Sequence, residues 1–331
     1  MKRLCLRSWL AFCLTAFSLA VIKPSAAEAT CPVLAPVCKI TNLDLPNGDA
    51  ADVYYPNVPS AYRQYFKDAF PIIVVLQGAN VDKSHYEILG QNLAKFLFVV
   101  VIPNHFRAVP PFGAGFFSGS SVVSNALAQM KTEDVNPTSS LHLIVDTGTV
   151  GLVGHSFGGV AGLFSSAADG CAVAPVPPFC EGPYARPPGL KAAVFYGTSL
   201  AVPGATPPVL SGDLNTSGVA TALLHGTKDG VETLAEAQLT YPTLENPRAL
   251  IALAGANHYG ICDENNPLGA QPDFSPPTLS QAGSLARVVW WTGWWLRTHL
   301  LNDPLGHWLI CEAGGTFDPV VTVSTAGVCR Q

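Results

Sequence analysis

The 331-residue sequence is poor in charged residues, and its basic residues do not outnumber its acidic ones. Lysine and arginine total 18 against 23 aspartates and glutamates, and charged residues make up only 12% of the chain. A chain with this balance lacks the positive surface through which proteins bind nucleic acids or acidic lipids. We therefore expect neither as a partner.

Metal-ligand spacing, repeats and charged linkers are also lacking. No two of the eight histidines form an H-x-x-x-H or H-E-x-x-H pattern. No repeat or heptad divides the chain, and 48% of its residues are apolar, enough for one large core. The sequence therefore predicts a single domain, monomeric, without metal or cofactor.

The N-terminus has the pattern of a secretory signal peptide. Three basic residues within the first seven positions precede an apolar run over residues 9–22, which is short for a transmembrane span. Cleavage after Ala27 or Ala29 fits the small residues there. We expect residues 1–29 to be removed and residues 30–331 to form a secreted protein without a transmembrane segment. Loss of four basic residues and one acid leaves 14 against 22, a formal net charge of −8.

Seven of the nine cysteines remain after this cleavage. In an exported chain, neighbouring cysteines are expected to form disulfides. Proximity predicts the pairs Cys31 with Cys38, Cys171 with Cys180, and Cys311 with Cys329. The odd residue, Cys262, is either a free thiol or the partner of a C-terminal cysteine in place of the third pair.

Short apolar, β-branched runs alternate with longer helical segments. This alternation predicts an α/β protein with a mostly parallel central sheet, flanked by helices that form right-handed crossovers. The predicted strands are 51–56, 71–78, 96–103, 150–154, 191–197, 221–226 and 249–255, and the predicted helices are 86–95, 122–131, 157–168, 231–238 and 279–301.

In such a sheet, ligand-binding and catalytic residues lie at the carboxyl ends of the strands. The loops expected at this edge begin at Gly78, Asn104, Gly154, Thr198, Gly226 and Ala256. The proline-rich segment 171–189 follows a helix and precedes a strand, so we expect it at the opposite edge, in a structural role. The tryptophan-rich run 290–295 is expected to pack in the core.

The stretch VGLVGHSFGGVAGLF, residues 150–164, combines a strand, a sharp glycine-flanked turn and an apolar helix. This is the arrangement of a nucleophile elbow, with Ser156 at the turn. Gly154 and Gly158 keep side chains out of the crowded positions beside it. The first amides of the helix would favour negative charge that develops next to the serine. The sequence predicts that Ser156 is a nucleophile.

A serine nucleophile needs a base and a carboxylate, each placed after a later strand. Asp229 follows the strand at 221–226, and His258 follows the strand at 249–255. The order Ser, Asp, His is the one expected of α/β-hydrolases. Asp229 is alternatively a turn former before Gly230, in which case Glu232 is the substitute acid.

With these residues in place, the chain resembles the α/β-hydrolase superfamily. It is most similar to the secreted dienelactone-hydrolase-like branch, which holds cutinase-like polyester hydrolases, chlorophyllases and platelet-activating-factor acetylhydrolases. The motifs GHSFGG, HGTKDG and GANHYG resemble the elbow, acid and histidine segments of that branch. The stretch WLRTHLLNDPLGHWLICE, with Cys329 after it, is similar to the terminal helix and closing disulfide of the cutinase-like enzymes. The resemblance extends from about Asp52 to the end and implies an α/β-hydrolase fold.

The resemblance also implies roles for individual residues. Ser156 would be the nucleophile, His258 the general base and Asp229 the residue that orients it. The oxyanion donors would be the backbone amides of Phe157 and Ala79. Two positions depart from the branch: Gln77 stands where histidine is usual, and Ala79 where polyester hydrolases often have an aromatic residue. The second departure argues against an aromatic polyester substrate, whereas backbone donors depend on neither side chain.

Four phenylalanines, Phe106, Phe112, Phe116 and Phe117, lie in the loop 103–120 after a predicted strand. Because exposed phenylalanine is unfavourable, they either pack inward or line an apolar acyl or alcohol pocket. Tyr259, beside the histidine, is a further candidate for this pocket.

These features together predict a secreted serine carboxylic-ester hydrolase that forms an acyl-enzyme and acts on a small-molecule or polymeric ester. Two alternatives remain open at this stage. One is a non-catalytic binding protein with the same fold, and the other is a serine thioesterase or peptidase, because these acyl transfers share one triad.

Overall fold

A computed structural model of the protein describes residues 28–32, 35–171, 178–182, 184–202, 210 and 214–329. The predicted signal peptide, residues 1–29, lies outside the described residues except for Glu28 and Ala29. Within these ranges, no helix has the length and apolar character needed to span a bilayer.

The described residues form one ten-stranded sheet and one two-stranded hairpin. The strands of the large sheet are β1 (Glu28–Thr30), β2 (Val37–Asp44), β3 (Ala50–Pro56), β4 (Phe70–Leu76), β5 (Val99–Asn104), β8 (Val145–His155), β9 (Leu190–Tyr196), β10 (Ala220–Gly226), β11 (Arg248–Leu253) and β12 (Val321–Ala326), and those of the hairpin are β6 (Phe106–Val109) and β7 (Gly113–Phe116).

Most of the longer helices lie between successive strands of the parallel part of the sheet. The helices are α1 (Glu87–Lys95), α2 (Ser120–Val135), α3 (Phe157–Ser166), α4 (Leu234–Thr240), α5 (Gln281–Leu300), α6 (Pro304–Trp308) and α7 (Gly314–Phe317), with a π-helical turn at Leu309–Ala313 and 3-10 turns at Ser60–Phe66, Lys83–Tyr86 and Tyr241–Thr243.

The strand order is β1-β2-β3-β5-β4-β8-β9-β10-β11-β12. The six strands from β5 to β11 in this order are parallel to one another, whereas β1, β2 and β3 on one side and β12 on the other pair antiparallel. This arrangement confirms the predicted α/β class with a mostly parallel sheet. It also brings the carboxyl ends of the six central strands to one edge of the sheet, called the carboxyl edge below.

The strands in the centre of the sheet are predicted from the sequence, whereas those at its margins are not. The central strands are continuous apolar runs because helices cover both faces, and every residue of β4 is buried. Strands β1, β2 and β12 and the β6-β7 hairpin were not predicted. Most of their residues are partly or fully exposed. Strand β2 alternates buried and partly exposed positions in the polar sequence VCKITNLD, so no apolar run marks these strands.

The helices pack on the sheet in two layers, each with its own core. Residues of α2, α3 and α4 belong to the apolar cluster on one face, and residues of α1 and α5 belong to the cluster on the other. In α5, Trp291 and Trp295 are fully buried, and the Trp295 indole donates a hydrogen bond to the Ala220 carbonyl at 3.2 Å. The tryptophan-rich run therefore contributes to the core, as predicted.

Three disulfides join the pairs expected from proximity, Cys31–Cys38, Cys171–Cys180 and Cys311–Cys329. Cys262 is a free thiol and is fully buried. Burial raises the pKa of this thiol well above its usual value, so it stays protonated and behaves as a small apolar residue.

Truncation of a central-strand leucine is expected to destabilise the protein strongly. Leu223 in β10 is fully buried, so Leu223→Ala should lower the free energy of unfolding by about 2–5 kcal/mol, through lost apolar burial and the cavity left behind. Leu268→Ala is the matched control, because this leucine is 91% exposed and should change stability by less than about 0.5 kcal/mol. Denaturant unfolding measures both, and equal losses would contradict the burial assigned to β10.

Candidate active site

Ser156 occupies a sharp turn between a strand and a helix. Strand β8 ends at His155, helix α3 begins at Phe157, and Ser156 between them has φ 51° and ψ −123°. A non-glycine residue in this region carries strain of about 1–3 kcal/mol. The surroundings fix it, because the Ser156 amide donates to the Tyr196 carbonyl at 2.9 Å and the Thr198 hydroxyl donates to the Ser156 carbonyl at 3.0 Å.

Two glycines allow the turn to approach the sheet. A Cβ on Gly158 would lie 2.2 Å from the Leu76 carbonyl oxygen and 2.3 Å from that of Gln77, and a Cβ on Gly154 would lie 2.7 Å from the Gly158 oxygen. These neighbours are backbone atoms, which cannot move aside. The two positions therefore require glycine for close packing, as the elbow pattern predicts.

Asp229 and His258 form a buried hydrogen-bonded pair at the same edge. The His258 Nδ1 atom lies 3.0 and 2.9 Å from the two carboxylate oxygens of Asp229, and both side chains are inaccessible or nearly so. A carboxylate can only accept, so His258 Nδ1 carries the hydrogen, and Nε2 is the atom that can accept a proton. Burial opposes the charge on Asp229, but the neighbouring His258 outweighs it and lowers the pKa of this carboxyl. The pair thus provides an oriented proton acceptor.

Backbone groups fix this pair in position. Asp229 Oδ1 also accepts hydrogen bonds from the amides of Val231 and Glu232, at 3.0 and 2.8 Å. The His258 amide donates to Asp273 Oδ2 at 2.9 Å. Asp273 is not predicted from the sequence, because no motif identifies a carboxylate that binds only backbone amides.

Glu232, the substitute acid, does not contact the His258 ring through a hydrogen bond. Its carboxylate instead accepts from the Ser199 hydroxyl at 2.8 Å, and its backbone carbonyl accepts from His225 Nε2 at 2.6 Å. Burial raises the pKa of Glu232 to about 7. The geometry therefore pairs His258 with Asp229 and not with Glu232.

The amides of Ala79 and Phe157 have no hydrogen-bond acceptor within the described part of the chain. Phe157 directly follows Ser156, and Ala79 belongs to the loop after β4, which lies at the same edge. Gln77 organises that loop: its side chain donates to the Val81 carbonyl and accepts from the His105 amide, both at 3.0 Å. The departure at Gln77 thus has a structural role, and both backbone amides remain available to a ligand.

The aromatic candidates divide between surface and interior. Phe112 is 65% exposed, and its ring lies 6.5 Å from that of Phe157. Phe106 is equally exposed and packs edge-on against Phe116. Phe117 is buried against Phe157, with the ring centroids 5.2 Å apart. Phe112 and Phe106 therefore face solvent, and Phe112 lies near the residue that follows Ser156, whereas Phe117 is buried beneath this loop.

Tyr259 packs inward. Its side chain is 3% exposed, its ring contacts that of His258 edge-on at 5.1 Å, and its hydroxyl donates to the Gln271 carbonyl. Tyr259 supports the histidine loop and leaves no free hydroxyl for a substrate.

The proline-rich segment 171–189 does not stay at the opposite edge, and that prediction is wrong for its residues 178–181. The Phe179 ring lies 4.8 Å from that of Phe157 and 5.7 Å from that of Phe164, so the chain runs back along α3 toward the carboxyl edge of the sheet. The disulfide Cys171–Cys180 fastens this return. Chain order alone could not reveal it, because a loop may double back along the helix that precedes it.

A charged cluster joins this returning segment to the phenylalanine loop. His105 Nδ1 lies 2.7 Å from Asp49 Oδ2, and its Nε2 lies 3.1 Å from Glu181, which also contacts Arg107 Nε at 3.2 Å and accepts from the Ser121 hydroxyl. Burial would lower the pKa of His105, but hydrogen bonds to the two carboxylates raise it to about 9. His105 is therefore an imidazolium at neutral pH.

The stability that this cluster provides is expected to depend on pH. The pKa of His105 is raised from 6.5 in the unfolded chain to about 9 when folded, so its contribution is complete below about pH 6.5 and is lost as the pH rises through 9. Denaturant unfolding should show that His105→Gln destabilises the protein more at about pH 6 than at about pH 10.

The control is His142→Gln, because the His142 ring contacts the Asp134 carbonyl rather than two carboxylates. An unfolding penalty for His105→Gln that is the same at both pH values would contradict a charged His105.

No group of three or more histidine, cysteine or acidic side chains suited to a metal ion occurs among the described residues. No protein-family model matches the sequence, and a search of curated proteins returns no match. The function must therefore be argued from the arrangement of Ser156, His258 and Asp229.

Proposed function

We propose that this protein is a serine carboxylic-ester hydrolase with Ser156 as nucleophile, His258 as general base and Asp229 as the residue that orients the base. The observation that carries this proposal is the buried Asp229–His258 hydrogen bond at the edge where Ser156 occupies a strained turn. The His258 ring lies 5.0 Å from the ring of His155, which directly precedes Ser156. Strain and a buried carboxylate are costly, and they persist where a function requires them.

The fold supports an α/β-hydrolase assignment. The serine stands between a parallel strand and a helix, and the acid and the histidine follow β10 and β11 in the chain order of that superfamily. The loop after β4, which carries Ala79, precedes α1 as the second oxyanion loop of such enzymes does.

Each group has a defined part in the proposed reaction. His258 Nε2 takes the proton from the Ser156 hydroxyl as Oγ attacks the ester carbonyl. The amides of Phe157 and Ala79 donate to the resulting oxyanion, and the dipole of α3 favours the same charge. His258 then protonates the departing alcohol. Water, deprotonated by His258, attacks the acyl-enzyme to release the acid and restore Ser156.

Apolar side chains at the carboxyl edge of the sheet favour an ester with apolar groups. Phe106 and Phe112 are exposed on the hairpin, and Leu268 and Phe274, in the loop after His258, are each 91% exposed. Gly269, next to Leu268, lies close to Asn80, whose side chain accepts from the Phe116 amide, so the two loops are neighbours. Burial of these side chains against an acyl or alcohol chain would add binding energy.

We further propose that the protein is exported. The N-terminal sequence has the composition of a signal peptide, and the three disulfides are of the kind that persists in oxidising compartments.

Removal of the nucleophile should abolish hydrolysis. Ser156→Ala is expected to lower kcat on p-nitrophenyl esters by about 10⁶, because no other group can form the acyl-enzyme. The matched control is Ser217→Ala, which removes the hydroxyl of an exposed serine and should leave the rate unchanged. Assays from acetyl to palmitoyl esters would also give the preferred acyl length.

A Ser156→Ala protein that keeps more than a small fraction of wild-type activity would overturn the assignment. Folded wild-type protein that neither hydrolyses these esters nor reacts with a fluorophosphonate would instead indicate a binding protein. Faster turnover of thioesters or peptides in direct competition would move the assignment to another acyl transfer.

The identity of the acid can be tested separately. Asp229→Asn should lower kcat by about 10⁴, because an amide can stabilise the wrong tautomer of His258 and cannot stabilise the imidazolium. Glu232→Gln should cost less than about tenfold, since its carboxylate binds Ser199 instead. If Glu232→Gln proves to be the more damaging change, the two roles are reversed.

A further inference from the structure

A chain of three buried hydrogen bonds connects the loops of the site beneath the catalytic groups. The Gly78 amide donates to the Tyr86 hydroxyl at 2.9 Å, this oxygen lies 2.8 Å from His155 Nδ1, and His155 Nε2 lies 3.0 Å from the His258 carbonyl oxygen. Tyr86 and His155 are both fully buried. The proposed triad makes no use of either side chain.

The direction of every bond in this chain is determined. The His258 carbonyl can only accept, so His155 Nε2 carries the hydrogen, and Nδ1 of the neutral ring accepts from the Tyr86 hydroxyl. Burial lowers the pKa of His155 to about 3, so the ring is uncharged at neutral pH. Burial likewise raises the pKa of Tyr86, so its hydroxyl keeps its proton. One phenol thus satisfies both the Gly78 amide and the His155 ring.

Apart from the Tyr86 hydroxyl, the connected atoms belong to residues that are, or directly precede, proposed catalytic groups. Gly78 precedes Ala79, a proposed oxyanion donor; His155 precedes the nucleophile; and His258 is the proposed base. Because the Gly78 amide points into the interior toward Tyr86, the orientation of the loop that presents the Ala79 amide is tied to that hydroxyl. The same hydroxyl fixes the tautomer through which His155 binds the backbone of His258.

We propose that Tyr86 and His155 are positioning residues that align the oxyanion loop and the base with Ser156. This inference rests on the proposed hydrolase function. Neither side chain reaches solvent, so neither can contact a substrate, and both act through atoms whose contribution increases in the transition state. Their loss should therefore lower kcat and leave KM almost unchanged.

The test compares Tyr86→Phe with Tyr184→Phe. Tyr184 is also buried, and its hydroxyl donates to the Ser165 carbonyl at 3.1 Å, near the end of α3 that is remote from Ser156. Both variants lose one buried hydroxyl, although Tyr86→Phe leaves two polar groups without this partner and should therefore lose more thermal stability than Tyr184→Phe, which leaves one. Only Tyr86→Phe should lower kcat on a p-nitrophenyl ester, by roughly 10- to 100-fold, with less than about a twofold change in KM.

A boronic acid forms a tetrahedral adduct with the serine. Its inhibition constant is a second measurement, and a loss of thermal stability alone would not change it. This constant should rise for Tyr86→Phe by about the same factor as kcat falls, and should stay constant for Tyr184→Phe. Wild-type kcat and inhibition in Tyr86→Phe would overturn the proposal. So would an equal kcat loss in Tyr184→Phe, because the effect would then follow stability.

Two substitutions of His155 keep the proposal testable if Tyr86→Phe does not fold. Glutamine can place a donor where Nε2 lies, whereas asparagine can retain only the acceptor for Tyr86. His155→Gln should therefore keep severalfold more activity than His155→Asn, and the reverse order would contradict the proposal. Inactive wild-type protein would remove the hydrolase assignment and this inference together, whereas active wild type with unaffected variants removes this inference alone.

Discussion

The hydrogen bond between Asp229 and His258 is the interaction on which the site depends. A carboxylate with no exposed side-chain surface carries a large desolvation penalty unless hydrogen bonds compensate it. Here two backbone amides and the His258 ring provide that compensation. Space is equally constrained, because a Cβ on Gly197 would lie 3.0 Å from both Asp229 Oδ2 and His258 Nδ1. The parallel pairing of β10 with β11 brings these two residues together.

The sheet also sustains the strain at Ser156. Strand β8 lies between β4 and β9, and its residues 150–154 pair with both. The turn after β8 packs against the end of β4, and the Leu76 carbonyl there leaves room only for glycine at position 158. A turn at the end of an edge strand has fewer neighbours to hold it and would relax to an unstrained backbone conformation. The central position of β8 therefore explains why the strained residue follows this strand.

The surroundings of the candidate triad come from segments that are remote in the chain. The hairpin β6-β7, the returning segment 178–181 and the loop after His258 all reach the carboxyl edge of the sheet. Ionic contacts of His105 and Glu181 join the first two. The positions of the charged cluster and of the exposed phenylalanines therefore depend on one another, because movement of Glu181 would remove the contact that holds the start of the hairpin.

The sequence by itself determined the alternation of strands and helices, the central parallel sheet, the elbow and the candidate triad, because these depend on local periodicity and on short motifs at strand ends. The tertiary structure decided which acid meets His258, how Phe112 and Phe117 divide between surface and interior, and where residues 178–181 lie. It alone connected Tyr86 to His155, 69 positions apart. Such contacts depend on how separate loops pack in three dimensions, and no local pattern of residues encodes that packing.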